Sequence, residues 1–93
     1  MVTTTRGYTA TKEQLQKRLH RIEGQVRGIQ AMLTDQRDCA DVVTQIAAAN
    51  KALGQVGFKL VASGLTYCLT HPDEAAESGY DLDRVEKMFM KIG

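Results

Sequence analysis

Apolar residues recur at Leu15, Leu19, Ile22, Val26, Ile29 and Leu33, in steps of three or four. That period lays them along one stripe of a helix. Thr11, followed by Lys12, Glu13 and Gln14, fits an N-cap with a glutamine at the third helical position. The first helix is therefore expected over about residues 11–34. Gly24 and Gly28 interrupt it and lower its helix propensity, so their expected use is the close approach of another backbone. Thr34-Asp35-Gln36-Arg37 reads as a turn. Asp38 then caps a second helix, with Asp41 in its first turn. The apolar period resumes through Val42, Val43, Ile46, Ala49, Leu53, Val56, Leu60 and Tyr67, and His71-Pro72 ends it. A second helix over 39–70 is about 48 Å long. An acidic connector from Asp73 to Gly79 follows. A short helix over 82–92 closes the chain, with Leu82, Val85, Phe89 and Ile92 on one face.

No strand pattern or internal repeat is visible, so the expected fold class is all-α: a three-helix protomer with a long second helix. Residues 1–10, rich in Thr with Gly7, read as a flexible arm before a single domain over 11–93. A compact domain of this size has a radius of gyration of about 12 Å. A 48 Å helix overhangs it, and its apolar stripe calls for a second chain.

Composition changes this picture little. A quarter of the residues are charged, Trp is absent, and no run approaches the length of a membrane span. The first residues contain no apolar segment of a secretory signal. A cytoplasmic location is expected, where two cysteines are more often reactive or metal-binding than disulfide-bonded.

Those two, Cys39 and Cys68, are 29 positions apart on the second helix. At about 100° per residue that is about eight full turns, so both thiols share one face, roughly 44 Å apart. They cannot meet within one straight helix. They meet across an antiparallel homodimer, Cys39 of one chain facing Cys68 of the other.

Charge is uneven although the net value is only +1. Residues 1–37 carry seven Lys or Arg against three acids, a net +4, and residues 71–93 a net −3. On the first helix Lys17, Arg18, Arg21 and Arg27 cluster with Gln14, Gln25 and Gln30, away from the apolar stripe. Such side chains bind phosphates and reach base edges. No helix-turn-helix spacing follows, so DNA contact is expected from a basic helical surface. His20 reads as a polar face residue.

The run from Arg18 to Ile29, RLHRIEGQVRGI, the run from Asp38 to Ala49, DCADVVTQIAAA, and Cys68 at the matching spacing resemble the copper-sensing operon repressor family. The resemblance covers about residues 12–70. It implies a three-helix protomer in an antiparallel four-helix-bundle dimer, commonly paired into a tetramer. It also implies operator-DNA binding through basic residues of the first helices, with Arg18 at an operator-contact position. Relatives in the family answer to copper, nickel or cobalt, formaldehyde, or reactive sulfur. Its copper sensors carry a His one turn before the second Cys, where this chain has Gly64. The nickel and cobalt pattern needs the same His, and the formaldehyde pattern a Pro where Val2 stands. Two thiols without that imidazole look like the persulfide-sensing branch.

The expected function is thus a non-enzymatic repressor without a required cofactor, released from operator DNA when reactive sulfur species modify Cys39 and Cys68. Cys39 sits at a helix start, where negative charge is favoured, although Asp38 and Asp41 oppose this. Cys68 is the resolving thiol, and the pair closes through a disulfide or polysulfide. The alternative is a Cu(I)-responsive repressor, because two thiolates suit Cu(I). His71, in a C-x-x-H spacing with Cys68, is then a weak third ligand. Tyr67 reads as packing and Glu86 as a surface acid, with a supporting role at the site the lesser reading for both. Two other classes are a sulfurtransferase and a helical protein-interaction module. Neither cysteine has a glycine cradle, a strand-to-helix turn or an acid–base partner beside it, which argues against the first.

Overall fold

The computed structural model describes residues 11–77, 79 and 81–92. The arm expected over 1–10 lies outside them. Among the described residues every regular element is helical: α1 (Lys12–Thr34), α2 (Cys39–Thr70), α3 (Pro72–Glu77) and α4 (Leu82–Ile92). None is long and apolar enough to cross a membrane. The described residues fall into two units, and α2 runs through both: one is residues 14–56, the other residues 11–13 with the described residues of 57–92.

The first unit is a helical hairpin. Leu15 and Ile22 of α1 bury against Val56 of α2, with Ala52 packed beside them. On α2 the buried positions Val42, Ala49 and Val56 are seven residues apart, the repeat of a helix that keeps one seam against a neighbour. The hairpin turn has a local cause. The Arg37 amide donates to Met32 O at 3.0 Å and the Gln36 amide to Leu33 O at 3.1 Å, while Gln36 has φ 53°. This pair of bonds is a Schellman motif, and its left-handed position normally takes glycine. Gln36→Gly is therefore expected to raise stability by about 1 kcal/mol, read as a higher chemical-denaturation midpoint. An unchanged or lower midpoint would contradict that origin of the turn.

Asp38 caps α2 as its sequence position suggests: Oδ2 accepts from the Ala40 amide at 3.2 Å, and the backbone carbonyl accepts from Val42. The Thr11 hydroxyl, expected as a cap, shares a 3.0 Å hydrogen bond with Ser63. Gly24 and Gly28 do not serve an approach within this chain, because a Cβ at either would meet nothing within 4 Å.

In the second unit α4 lies antiparallel along the later part of α2. Ile92 packs on Gly57, the rings of Phe89 and Phe58 meet edge-on with centroids 6.1 Å apart, and Met88 lies over Gly64. Val85 and Ala75 are buried here. The expected three-helix protomer needs correction, because the acidic connector contains a helix of its own. Pro72 ends α2 and also starts α3. The His71 carbonyl accepts from the Ala75 amide at 2.8 Å, and Pro occupies the first helical position, where its missing N–H costs nothing. Asp73 and Glu74 add favourable charge to that first turn.

Large apolar side chains remain exposed in both units. Ile46, Leu53 and Leu60 form a second seven-residue stripe on α2, each four residues after a member of the buried one, at 48%, 51% and 37% exposure. Fully buried large side chains are absent among the described residues.

Candidate functional site

Cys39 is the first residue of α2 and is exposed; Cys68 lies in the last turn of the same helix and is buried. Around Cys39 the carboxylates are already engaged. Asp38 caps the helix, and Asp41 pairs with Arg37 at 3.4 Å. That pair is half-exposed and contributes at most about 1 kcal/mol, but it gives Asp41 a neighbouring cation.

Around Cys68 the helix presents a buried surface. Gly64, one turn earlier, is also buried, and residues four apart share a helix face. A Cβ on Gly64 would meet the Met88 methyl, Cε, at 3.9 Å. Sequence reading did not single out Met88. A signal existed, because position 88 lies three after Val85 and four before Ile92, on the apolar face already recognised.

His71 is exposed, and its Nδ1 and the Thr70 hydroxyl are 2.9 Å apart in a hydrogen bond. Its ring stacks on Tyr67 at 5.6 Å. One ring nitrogen of His71 is thus already used. Glu86 is exposed on α4. Among the described residues no group of three or more His, Cys, Asp or Glu converges into a metal site. Three sulfur atoms lie on or against α2: a buried thiol at one end, an exposed thiol at the other, and the Met88 thioether over Gly64. All three are soft sulfur donors of the kind that suits Cu(I).

The basic face of α1 divides in two. Lys17, Arg18 and Arg21 fall within an arc of about 100°. Lys17 and Arg21 are exposed and Arg18 is half-buried, at the edge of the apolar stripe. Arg27 lies about 120° around the helix from Arg21. It pairs with Glu23 at 3.4 Å, and Glu23 also meets His20 at 3.5 Å. The expected cluster of four is thus three cations on one arc and a fourth held in an i,i+4 pair, because four residues is the spacing at which helical side chains meet.

Residues 11–91 match the family described as metal-sensitive transcriptional repressor. The chain is 43% identical over 82 residues to the copper-sensing transcriptional repressor RicR of Mycobacterium tuberculosis, covering 88% of this chain and 83% of that protein. It is 34% identical over 81 residues to the copper-sensing transcriptional repressor CsoR of Bacillus subtilis, covering 87% and 80%. The transcriptional repressor RcnR of Salmonella typhimurium is 32% identical over 77 residues, covering 83% and 86%. No solved structure matches.

Proposed function

Because the chain belongs to the metal-sensitive transcriptional repressor family, we propose that it is a Cu(I)-responsive repressor, binding operator DNA through Lys17, Arg18 and Arg21. Copper takes precedence over the reactive-sulfur inducer expected from the sequence, because two relatives at 43% and 34% identity are named as copper-sensing. The observation that carries the reading is the placement of two thiols at opposite ends of the single helix α2.

An antiparallel dimer brings Cys39 of one chain to Cys68 of the other. In that register paired positions sum to 107, so the dyad falls between Leu53 and Gly54, and Ile46 and Leu60 flank it. These are members of the exposed stripe, and at Gly54 a Cβ would meet nothing within 4 Å in its own chain. Self-association therefore covers the apolar stripe and completes two sulfur sites at once. Each Cu(I) takes Cys68 and the partner copy's equivalent of Cys39. Drawing two helix ends together biases the assembly against its DNA-bound shape, so metal and operator oppose one another. Pairing of such dimers into a tetramer is part of the same proposal.

A second reading is favoured by one observation: Gly64 leaves no imidazole one turn before Cys68. Without it, an organic persulfide passes its outer sulfur to Cys39 and leaves as the thiol; Cys68 of the other chain then attacks the Cys39 sulfur, the S–S bond of the persulfide breaks, hydrosulfide departs, and the resulting disulfide releases DNA instead. Titrating DNA with reduced protein, then repeating after Cu(I) and after an organic persulfide donor, separates the two. Release by Cu(I) alone is expected, with apparent affinity falling at least about tenfold, within the usual range of such coupling. Release by the persulfide donor alone, with an intersubunit disulfide or sulfur adduct in the mass spectrum, would reverse the order.

A further inference from the structure

We propose that the Met88 thioether is a Cu(I) donor beside Cys68, standing in for a side chain that Gly64 lacks; this rests on the Cu(I) reading above. Gly64, Cys68 and Met88 belong to one unit of the chain. Gly64 and Cys68 are buried one turn apart on α2. Among the described residues the one side chain within 4 Å of a Cβ placed on Gly64 is Met88, through Cε. That methyl carbon is bonded directly to the sulfur. The thioether thus lies over the notch left by the absent side chain, on the helix face that carries Cys68.

The placement of Met88 is held by its neighbours. Val85 is 4% exposed, Phe89 meets Phe58, and Ile92 meets Gly57. Position 88 sits between these contacts and is half-buried. The backbone of α4 is therefore fixed over α2 while the methionine keeps its own rotatable bonds, which let the sulfur turn.

The chemistry of the donors points the same way. His71 is engaged with Thr70 and Tyr67, and among the described residues no group of three or more His, Cys, Asp or Glu gathers at Cys68. A third donor in this chain then has to be of another type, and a thioether is one that selects Cu(I) over harder divalent ions. With Cys39 of a second copy the set is two thiolates and one thioether, and the notch at Gly64 is what admits the third sulfur.

The test uses the full-length reduced protein under anaerobic conditions. Cu(I) is titrated against a chromophoric chelator, and the loaded protein is measured by X-ray absorption. The wild type is expected to hold one Cu(I) per chain with three sulfur neighbours. Met88→Leu, which keeps the size and apolar character, lowers Cu(I) affinity by at least about tenfold and reduces the sulfur count to two. Met88→Cys returns a sulfur and restores the count of three. Met90→Leu, at a position 72% exposed on the same helix, changes neither reading. Unchanged affinity and sulfur count in Met88→Leu overturn the proposal and leave the Cu(I) reading standing. A wild-type site with only two sulfurs overturns it without recourse to any variant. A wild-type protein that takes no Cu(I) from the chelator overturns both.

Discussion

Replacing Lys17, Arg18 and Arg21 together by alanine is expected to weaken operator binding by about a hundredfold for each chain that touches DNA, at about 1 kcal/mol for each cation removed. The salt dependence is the sharper readout. Each phosphate neutralised adds about 0.9 to the slope of log affinity against log salt. The triple variant should therefore lose about three units of slope for each chain that touches DNA. The three residues lie on one arc of α1, and among the described residues none of them is in an ion pair. Arg27→Ala is the control. Its guanidinium already meets Glu23, so its loss should change affinity and slope much less. Fluorescence anisotropy with labelled operator at several salt concentrations measures all of these. Equal losses in Arg27→Ala and the triple variant would mean that the arc is not the contact surface.

Leu53→Asp is expected to dissociate the assembly and lower its melting temperature. On an isolated chain this substitution replaces a half-exposed side chain, which changes stability by no more than about 0.5 kcal/mol. At the dyad of an antiparallel dimer it sets two carboxylates close together inside an apolar seam. That costs the burial of two leucines and adds an unpaired buried charge from each chain. Sedimentation of the wild type should show an oligomer and of Leu53→Asp a monomer. The same variant should take up Cu(I) weakly, since the two thiols of each site come from different chains. An oligomer of unchanged mass would remove Leu53 from the interface and with it the proposed register.

The two signals that were read correctly from sequence are local ones. Asp38 caps α2 because a carboxylate at that position reaches the amide two residues on, a contact within one turn. The bounds of α2 and α4 agree with the periodic apolar residues, because each helix buries one stripe wherever its partner comes from. Pro72 was read only as a stop, although the acids after it already carried the mark of a helix start. Arg27 was grouped with the other cations on charge alone; its i,i+4 spacing from Glu23 was available and decides its partner. Thr11 is the opposite case, since its hydrogen bond reaches 52 residues along the chain to Ser63 and no local pattern announces it.

The sequence by itself determined the all-helical class, the long second helix, the two thiols at its ends, the absence of an imidazole at position 64, and the family. All of these follow from period, capping or residue identity, which act over a few neighbours. Only the tertiary structure decided that Cys68 is buried while Cys39 is exposed, that α4 runs antiparallel along α2, and that Met88 comes to lie over Gly64. Those depend on the register in which two helices dock, set by the fit of Met88, Phe89 and Ile92 against positions 24 or more residues away along the chain. The periodic apolar stripes say which face of each helix docks, but not the register in which the two faces meet.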